Sequence, residues 1–240
     1  MGDWFNEQHG EPFIAFGTSH ITALIIYFTG LILLFITYKN VKNSDTLYNA
    51  LRWALFVILV ISEISYQTYT ITNGIWSLQE HIPLHLCGIA SITGAIALIT
   101  QNKALINLTF FIGLIPAFAA LVTPELPYDF PHFRFWKFFV HHMAISWVSI
   151  FLLLTSSVKV TFKSALHAYG LLLIYAAIIG FLINPYLESN YLFLSATPTA
   201  STPLDLLGEG VWYYVNLCLL GIAVFLWQFG LFKLLRKKKG

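Results

Sequence analysis

The chain has 240 residues, of which 58% are hydrophobic and only 10% are charged, and its mean hydropathy is +0.73. Soluble domains carry about 25% charged residues, so this composition excludes an ordinary soluble domain and predicts an integral membrane protein. The formal net charge of +2 gives no indication of a nucleic-acid partner, and we expect none.

Seven apolar segments are long enough to cross a bilayer, which takes roughly 20 residues. They lie at about 16–38, 50–72, 83–101, 104–122, 136–156, 164–184 and 211–234. The sequence therefore predicts an all-α bundle of seven membrane helices that forms a single domain over residues 1–240. The N-terminal segment lacks the positively charged region of a cleavable signal peptide, so we expect the first helix to stay in the membrane.

Lysine and arginine positions predict the orientation of the bundle, because these residues favour the cytoplasmic side. If the N-terminus is outside, every basic residue except Arg134 and Lys137 faces the cytoplasm, including the run at 236–239. An odd number of spans then places the C-terminus in the cytoplasm. Most of the histidines fall near the outer ends of the third and fifth helices, where we expect the chemistry.

The second predicted helix carries Glu63, Gln67 and Thr70 on one face, at i, i+4 and i+7. A carboxylate within the bilayer costs a few kcal/mol and needs a partner, for which His142 and His85 are candidates. Glu63 either orients a catalytic histidine or makes a buried structural hydrogen bond. In a third, non-enzymatic interpretation it is a proton or cation site of a transporter, although no inverted repeat supports that reading.

The third predicted helix opens with PLHLC. Proline is favoured at the first helical position, so we expect the helix to begin at Pro83 and to place Cys87 in its second turn. The positive end of the helix dipole favours a thiolate there, but a cysteine in such a helix is more often a small apolar filler. His81 and His85 are four residues apart, a zinc-binding spacing on a helix, but Pro83 lies between them.

The fifth predicted helix carries two adjacent histidines, His141 and His142. Adjacent helical residues point in different directions, so only one of them can face a given neighbour. His142 shares a stripe with Ser146 and Ser149, whereas the stripe of His141 is otherwise apolar. We therefore expect His142 to point into the bundle.

Three stretches resemble the YwaF-type integral membrane proteins of bacteria: PLHLCGI, FFVHH, and NYLFL followed by PLDLLGEGVWYY. That family is distantly similar to a eukaryotic intramembrane acyltransferase that remodels ether phospholipids with polyunsaturated chains. The similarity covers most of the chain. It implies a cysteine nucleophile at Cys87, a histidine at His142, and a place in a bacterial plasma membrane.

The predicted function is a lipid acyltransferase or acyl hydrolase that acts on phospholipid esters near the outer leaflet. Asn190 and Tyr191 are expected to bind the oxyanion, and Arg134 and Lys137 a lipid phosphate. The predicted catalytic residues are Cys87, His142, Glu63 and His85, and the predicted substrate-binding residues are His141, Asn190, Tyr191, Arg134, Lys137 and Gln67. We expect no metal and no soluble cofactor. The enzymatic alternative is a zinc-dependent seven-helix lipid hydrolase. The absence of histidine from the last predicted helix argues against it.

Overall fold

A computed structural model of the chain describes residues 3–7, 9–198 and 202–237. Its main helices are α1 (Thr18–Asn43), α2 (Asp45–Thr72), α3 (Leu86–Thr100), α4 (Lys103–Val122), α5 (Phe133–Thr155), α6 (Phe162–Ile178) and α7 (Gly210–Lys237). A π-helical turn, Ile179–Ile183, and a short α-helical turn, Asn184–Leu187, continue α6. Each of the seven predicted segments thus forms a helix. Part of the predicted cytoplasmic basic run, Lys238 and Lys239, lies outside the described residues.

Six helical segments in the described part of the chain are long and apolar enough to cross a membrane: α1, α2, α4, α5, α6 with its continuation (Phe162–Leu187), and α7. The remaining helix, α3, has 15 residues. At 1.5 Å per residue it is about 22 Å long, less than the roughly 30 Å of a bilayer core. The predicted all-α membrane bundle is therefore confirmed, with α3 as a shorter apolar helix.

The predicted start of the third helix is wrong by three residues, because α3 begins at Leu86 and not at Pro83. His85, immediately before the helix, has an extended backbone with ψ 158°. The Pro83 carbonyl packs closely against Gly88. The segment at Pro83 therefore lies across the first turn of α3 and is not part of the helix. Cys87 consequently lies in the first turn of α3, not the second.

Helix α5 is the centre of the bundle and packs against α1, α2, α3 and α4. Most of its side chains are buried. Small residues on its neighbours allow this close approach, as is common between membrane helices. A Cβ at Gly30 of α1, for example, would lie only 2.4 Å from the Trp147 ring. Residues on almost every face of α5 therefore point into protein.

We call the end of the bundle at which α3 and α5 begin the site end. The N-terminal segment folds over it, since Phe13 N donates to Pro127 O and Asp129 N donates to Glu11 O. The long connections between α4 and α5 and between α6 and α7 lie at the same end. Irregular chain at this position is thus packed on protein, as a membrane environment requires.

Candidate active site

A cavity of about 1250 Å³ opens at the site end. The N-terminal segment, the α2–α3 loop and both long loops contribute to its walls. Three of the predicted site residues line it: His85, Arg134 and Asn190. Its other polar lining residues include His81, Glu7, Glu80, Glu125 and Glu188.

Cys87 lies two residues beyond His85, where the chain passes from the cavity wall into α3. Its side chain is half-buried and packs against the main hydrophobic core. The thiol makes no hydrogen bond to any residue in the described part of the chain, and both cysteines are free. The other cysteine, Cys218, is exposed on α7 and is separate from the cavity. Cys87 is thus near His85 in the chain but is not one of the residues that line the cavity.

The packing of α3 on α5 fixes the relative depth of their residues. Gly94 of α3 packs against Val148 of α5, and a Cβ at Gly94 would lie 3.2 Å from Val148 Cγ1. One turn nearer the site end, Gly113 of α4 lies between Ile145 of α5 and Ala90 of α3. The two helices therefore run parallel, and equivalent turns lie side by side.

One more turn toward the site end leads to Cys87 on α3 and to His141 and His142 on α5. The thiol and the two imidazoles thus occupy similar depths on adjacent helices. Within the described residues no hydrogen bond joins the thiol to either ring. Pairing of Cys87 with His142 as nucleophile and base remains a prediction.

The two α5 histidines differ in the contacts of their rings. Nδ1 of His142 lies 2.7 Å from the Phe138 carbonyl oxygen. Because a carbonyl only accepts, Nδ1 carries the hydrogen and Nε2 holds the lone pair of the neutral ring. His141 is 3% exposed, and its Nε2 has no hydrogen-bond partner. The backbone, rather than Glu63 or His85, makes the hydrogen bond that sets the tautomer of His142.

The two cations of α5 share an aromatic neighbour but differ in their acidic partners. Arg134 lines the cavity and forms an ion pair with Glu7, in which Nη1 and Oε1 are 2.9 Å apart. The Arg134 guanidinium also lies over the Tyr66 ring of α2, 5.6 Å from its centroid, and the ammonium of Lys137 lies over the same ring at 4.0 Å. It interacts electrostatically with Glu63, with Cys87 and with both α5 histidines. The sequence analysis did not predict these interactions of Lys137, although the i, i+4 spacing of Lys137 and His141 places both residues on one face of α5.

The polar residues of α2 hold the α2–α3 loop. Gln67 Nε2 donates to Glu63 Oε1 and to the His81 carbonyl, both at 2.7 Å. Gln67 Oε1 accepts from Trp76 Nε1 at 2.7 Å. These internal hydrogen bonds occupy both ends of the Gln67 amide. The Glu63 carboxylate is fixed by Gln67 and is electrostatically coupled to Lys137.

Asn190 and Tyr191 organise the loop between α6 and α7. Tyr191 is fully buried, and its hydroxyl donates to Leu78 O at 2.7 Å and accepts from Ile82 N at 3.2 Å. Asn190 Nδ2 donates to Ala196 O. Both side chains therefore make structural contacts. Their role at an oxyanion stays a prediction.

His85 presents a neutral imidazole to the cavity. Its Nδ1 accepts from Leu192 N at 3.4 Å, so the hydrogen of the neutral ring is on Nε2. Burial lowers the pKa of His85 below its ordinary value of 6.5, and the Glu125 carboxylate opposes this only in part. At neutral pH this residue is a hydrogen-bond donor in the cavity wall.

The zinc-dependent alternative requires a group of metal-binding side chains. Over the residues that the structure describes, no three His, Cys, Asp or Glu side chains are grouped so that they could hold a metal ion. In particular, the His81 and His85 rings have separate partners, in Ser77 and Leu192.

Comparison with known proteins places the chain in a family. No curated protein and no solved structure matches it. The model of the TMEM164 family matches residues 15–228, which include α1 to α6 completely and most of α7. The chain belongs to the TMEM164 family.

Proposed function

We propose that this TMEM164-family membrane protein transfers or hydrolyses fatty-acyl groups of membrane phospholipids, with Cys87 as the nucleophile and an α5 imidazole as the base. The sequence favours His142 for that base. The observation that supports the proposal is the similar depth of one free thiol and two imidazoles on adjacent helices, with the thiol two residues from His85 in the cavity wall. The resemblance of the PLHLC and FFVHH motifs to those of YwaF-type proteins points the same way.

The reaction proceeds in two halves. The Cys87 thiol gives its proton to Nε2 of the imidazole, and the thiolate attacks the ester carbonyl of a phospholipid. A thioester forms, the ester C–O bond breaks, and the departing lysophospholipid takes the proton. An acceptor hydroxyl, from a second lysophospholipid or from water, then gives its proton to the imidazole, attacks the thioester and releases the thiol.

The cavity supplies a donor for the charge that develops on the carbonyl oxygen. His85 Nε2–H is the neutral donor that lines the cavity nearest to Cys87 in the chain. A preorganised donor at this position stabilises the oxyanion more than the ground-state carbonyl. Arg134 lies in the same wall and is the cation that we propose for the lipid phosphate.

We place the protein in a bacterial plasma membrane with its N-terminus and its cavity on the extracellular side. The orientation is supported by the distribution of lysine and arginine, of which only Arg134 and Lys137 belong to the site end. The bacterial membrane is what the resemblance to YwaF-type proteins implies. An outer-leaflet phospholipid then reaches the cavity laterally and serves as acyl donor without a soluble cofactor.

Lipid turnover by purified protein tests the proposal. The protein is reconstituted in nanodiscs that contain phospholipid with a deuterated acyl chain and an unlabelled lysophospholipid. Labelled product phospholipid and free fatty acid are quantified by mass spectrometry. We expect turnover that falls at least about 100-fold in Cys87→Ala. The matched control, Cys218→Ala, removes the exposed thiol and keeps the wild-type rate.

Two outcomes contradict the proposal. Full turnover in Cys87→Ala shows that the thiol is incidental, and zinc bound in stoichiometric amount would then favour the metal-dependent hydrolase. Absence of turnover in the wild type, together with a transport activity that Glu63→Gln abolishes and Cys87→Ala leaves intact, favours the non-enzymatic alternative.

A further inference from the structure

We propose that Lys137 is a positioning residue for Cys87: its ammonium, held over the Tyr66 ring inside the bundle, stabilises the thiolate from which acyl transfer starts. This inference rests on the proposed function and adds a third participant to the Cys–His pair. It also separates Lys137 from Arg134, with which the sequence grouped it as a lipid-phosphate ligand.

The position of the ammonium is set by three helices. Lys137 is half-buried on α5, which packs directly against α2 and α3. Its Nζ lies 4.0 Å from the Tyr66 ring centroid, a distance at which the face of the ring attracts a cation. The cavity lining includes Arg134 but not Lys137. Tyr66 itself lines the cavity, so the ring that holds the ammonium belongs to the cavity wall.

The groups that face this ammonium come from each of the three helices. Glu63 belongs to α2, Cys87 to α3, and Arg134 with the two histidines to α5. Within the described residues, the ion pair closer than 4 Å is the one between Arg134 and Glu7, not one that involves Lys137. The ammonium is thus held by an aromatic face and by longer-range attraction, and its charge is not taken up by a carboxylate in contact.

The Cys87 thiol needs a nearby positive charge to form a thiolate. Cys87 packs against apolar side chains and receives no hydrogen bond from the described residues. A thiolate that forms in such surroundings is strongly disfavoured unless a cation faces it. Lys137 lies one helical turn toward the site end from His141, whose depth Cys87 shares on the adjacent helix α3, and is one turn nearer to that depth than Arg134.

Lys137 keeps its proton throughout the proposed cycle. The thiol proton moves to the α5 imidazole and then to the leaving lysophospholipid, and no bond forms to the lysine nitrogen. Negative charge passes from sulfur to the carbonyl oxygen and back, while the ammonium stays in place. Once the neutral thioester has formed, Glu63 is the remaining negative partner of the ammonium.

The pH dependence of Cys87 alkylation tests the inference without any lipid turnover. All variants carry Cys218→Ser, so that N-ethylmaleimide reacts at one thiol, and the rate is followed by intact-protein mass spectrometry between pH 6 and pH 10. In Lys137→Met we expect the rate–pH profile to move up by about one pH unit, which lowers the rate at pH 7.5 about 10-fold. Lys137→Arg keeps the charge and stays within about threefold of the parent.

Further variants guard against a general loss of structure. Lys159→Met removes an exposed cation elsewhere and should leave the profile unchanged. Tyr66→Leu retains the ammonium but removes the ring that holds it, and we expect a smaller shift in the same direction. An unchanged profile in Lys137→Met overturns the inference, as does an equal shift in Lys159→Met.

The outcome is separable from that of the proposed function. A shifted alkylation profile in Lys137→Met, with no lipid turnover in the wild type, supports the Lys137–Cys87 interaction and refutes acyl transfer. Cys87-dependent lipid turnover with an unshifted alkylation profile supports acyl transfer and refutes the Lys137–Cys87 interaction.

Discussion

Gly88 makes the closest backbone contact near the proposed nucleophile, and replacing it tests the geometry of the α3 start. A Cβ at this position would lie 2.4 Å from the Pro83 carbonyl oxygen and 2.7 Å from its carbon. These are backbone atoms that cannot rotate away, so the added methyl must displace the segment that crosses the first turn. Because the contacts are with backbone, we take the upper half of the range for overpacking, about 2–3 kcal/mol, of which the better helix propensity of alanine returns about 1 kcal/mol. We expect Gly88→Ala to lower the free energy of unfolding by about 1–2 kcal/mol.

Thermal unfolding in detergent, followed by tryptophan fluorescence, measures this loss. For a chain of this size, 1 kcal/mol corresponds to about 2–4 °C, so Gly88→Ala should melt about 2–8 °C below the wild type. The matched control is Gly170→Ala in α6, where a Cβ meets nothing within 4 Å and the propensity gain should raise Tm slightly. The alkylation rate of Cys87 should also change in Gly88→Ala alone. A variant that melts at the wild-type temperature with unchanged alkylation would refute the close packing of Pro83 on α3.

Three further predictions concern other parts of the bundle. Ser146→Ala removes the hydrogen bond to the buried Tyr27 hydroxyl, at 2.9 Å, and should cost about 1 kcal/mol of stability; a double-mutant cycle with Tyr27→Phe that shows no coupling would contradict this. Glu7→Gln removes the ion pair with Arg134 and should lower Tm by about 2 °C at low salt and less at high salt, so a loss independent of salt would argue against that role. Because burial lowers the pKa of His85, the unfolded chain binds more protons than the folded one as pH falls below 6.5, and stability should decline with acid from that pH down to the folded pKa. His85→Gln should make this decline shallower, and an identical decline in melting scans at pH 5 and 7.5 would contradict the assignment.

The helices were predictable from the sequence because a bilayer imposes a minimum apolar length, and each predicted apolar segment forms a helix. Their ends depend on local contacts that length does not reveal. Helix α5 starts at Phe133, three residues before the predicted 136, because the His132 side chain accepts a hydrogen bond from Arg134 N and caps it. Helix α3 starts late because Pro83 packs across its first turn.

The orientation of the site residues was less predictable, because α5 is the central helix of the bundle. A polar stripe identifies the buried face of a helix only if another face meets lipid. Here Ser146, on the stripe of His142, and Ile145, on the stripe of His141, are both buried, so the polar stripe that favoured His142 does not distinguish the two histidines. The same applies to Lys137, which the sequence grouped with Arg134 as a ligand of a lipid phosphate. Its contact with Tyr66 comes from another helix and appears only in the folded bundle.

The most direct measurement of the central claim is the mass of the protein after exposure to phospholipid. Wild-type protein is mixed with phospholipid that carries one defined acyl chain, quenched in acid and examined intact, and the modified peptide is then mapped. We predict one added acyl group on Cys87 that neutral hydroxylamine removes, as it does a thioester, and no such group in Cys87→Ala. Phospholipid turnover by a wild-type protein that never carries an acyl group on Cys87 would contradict the account.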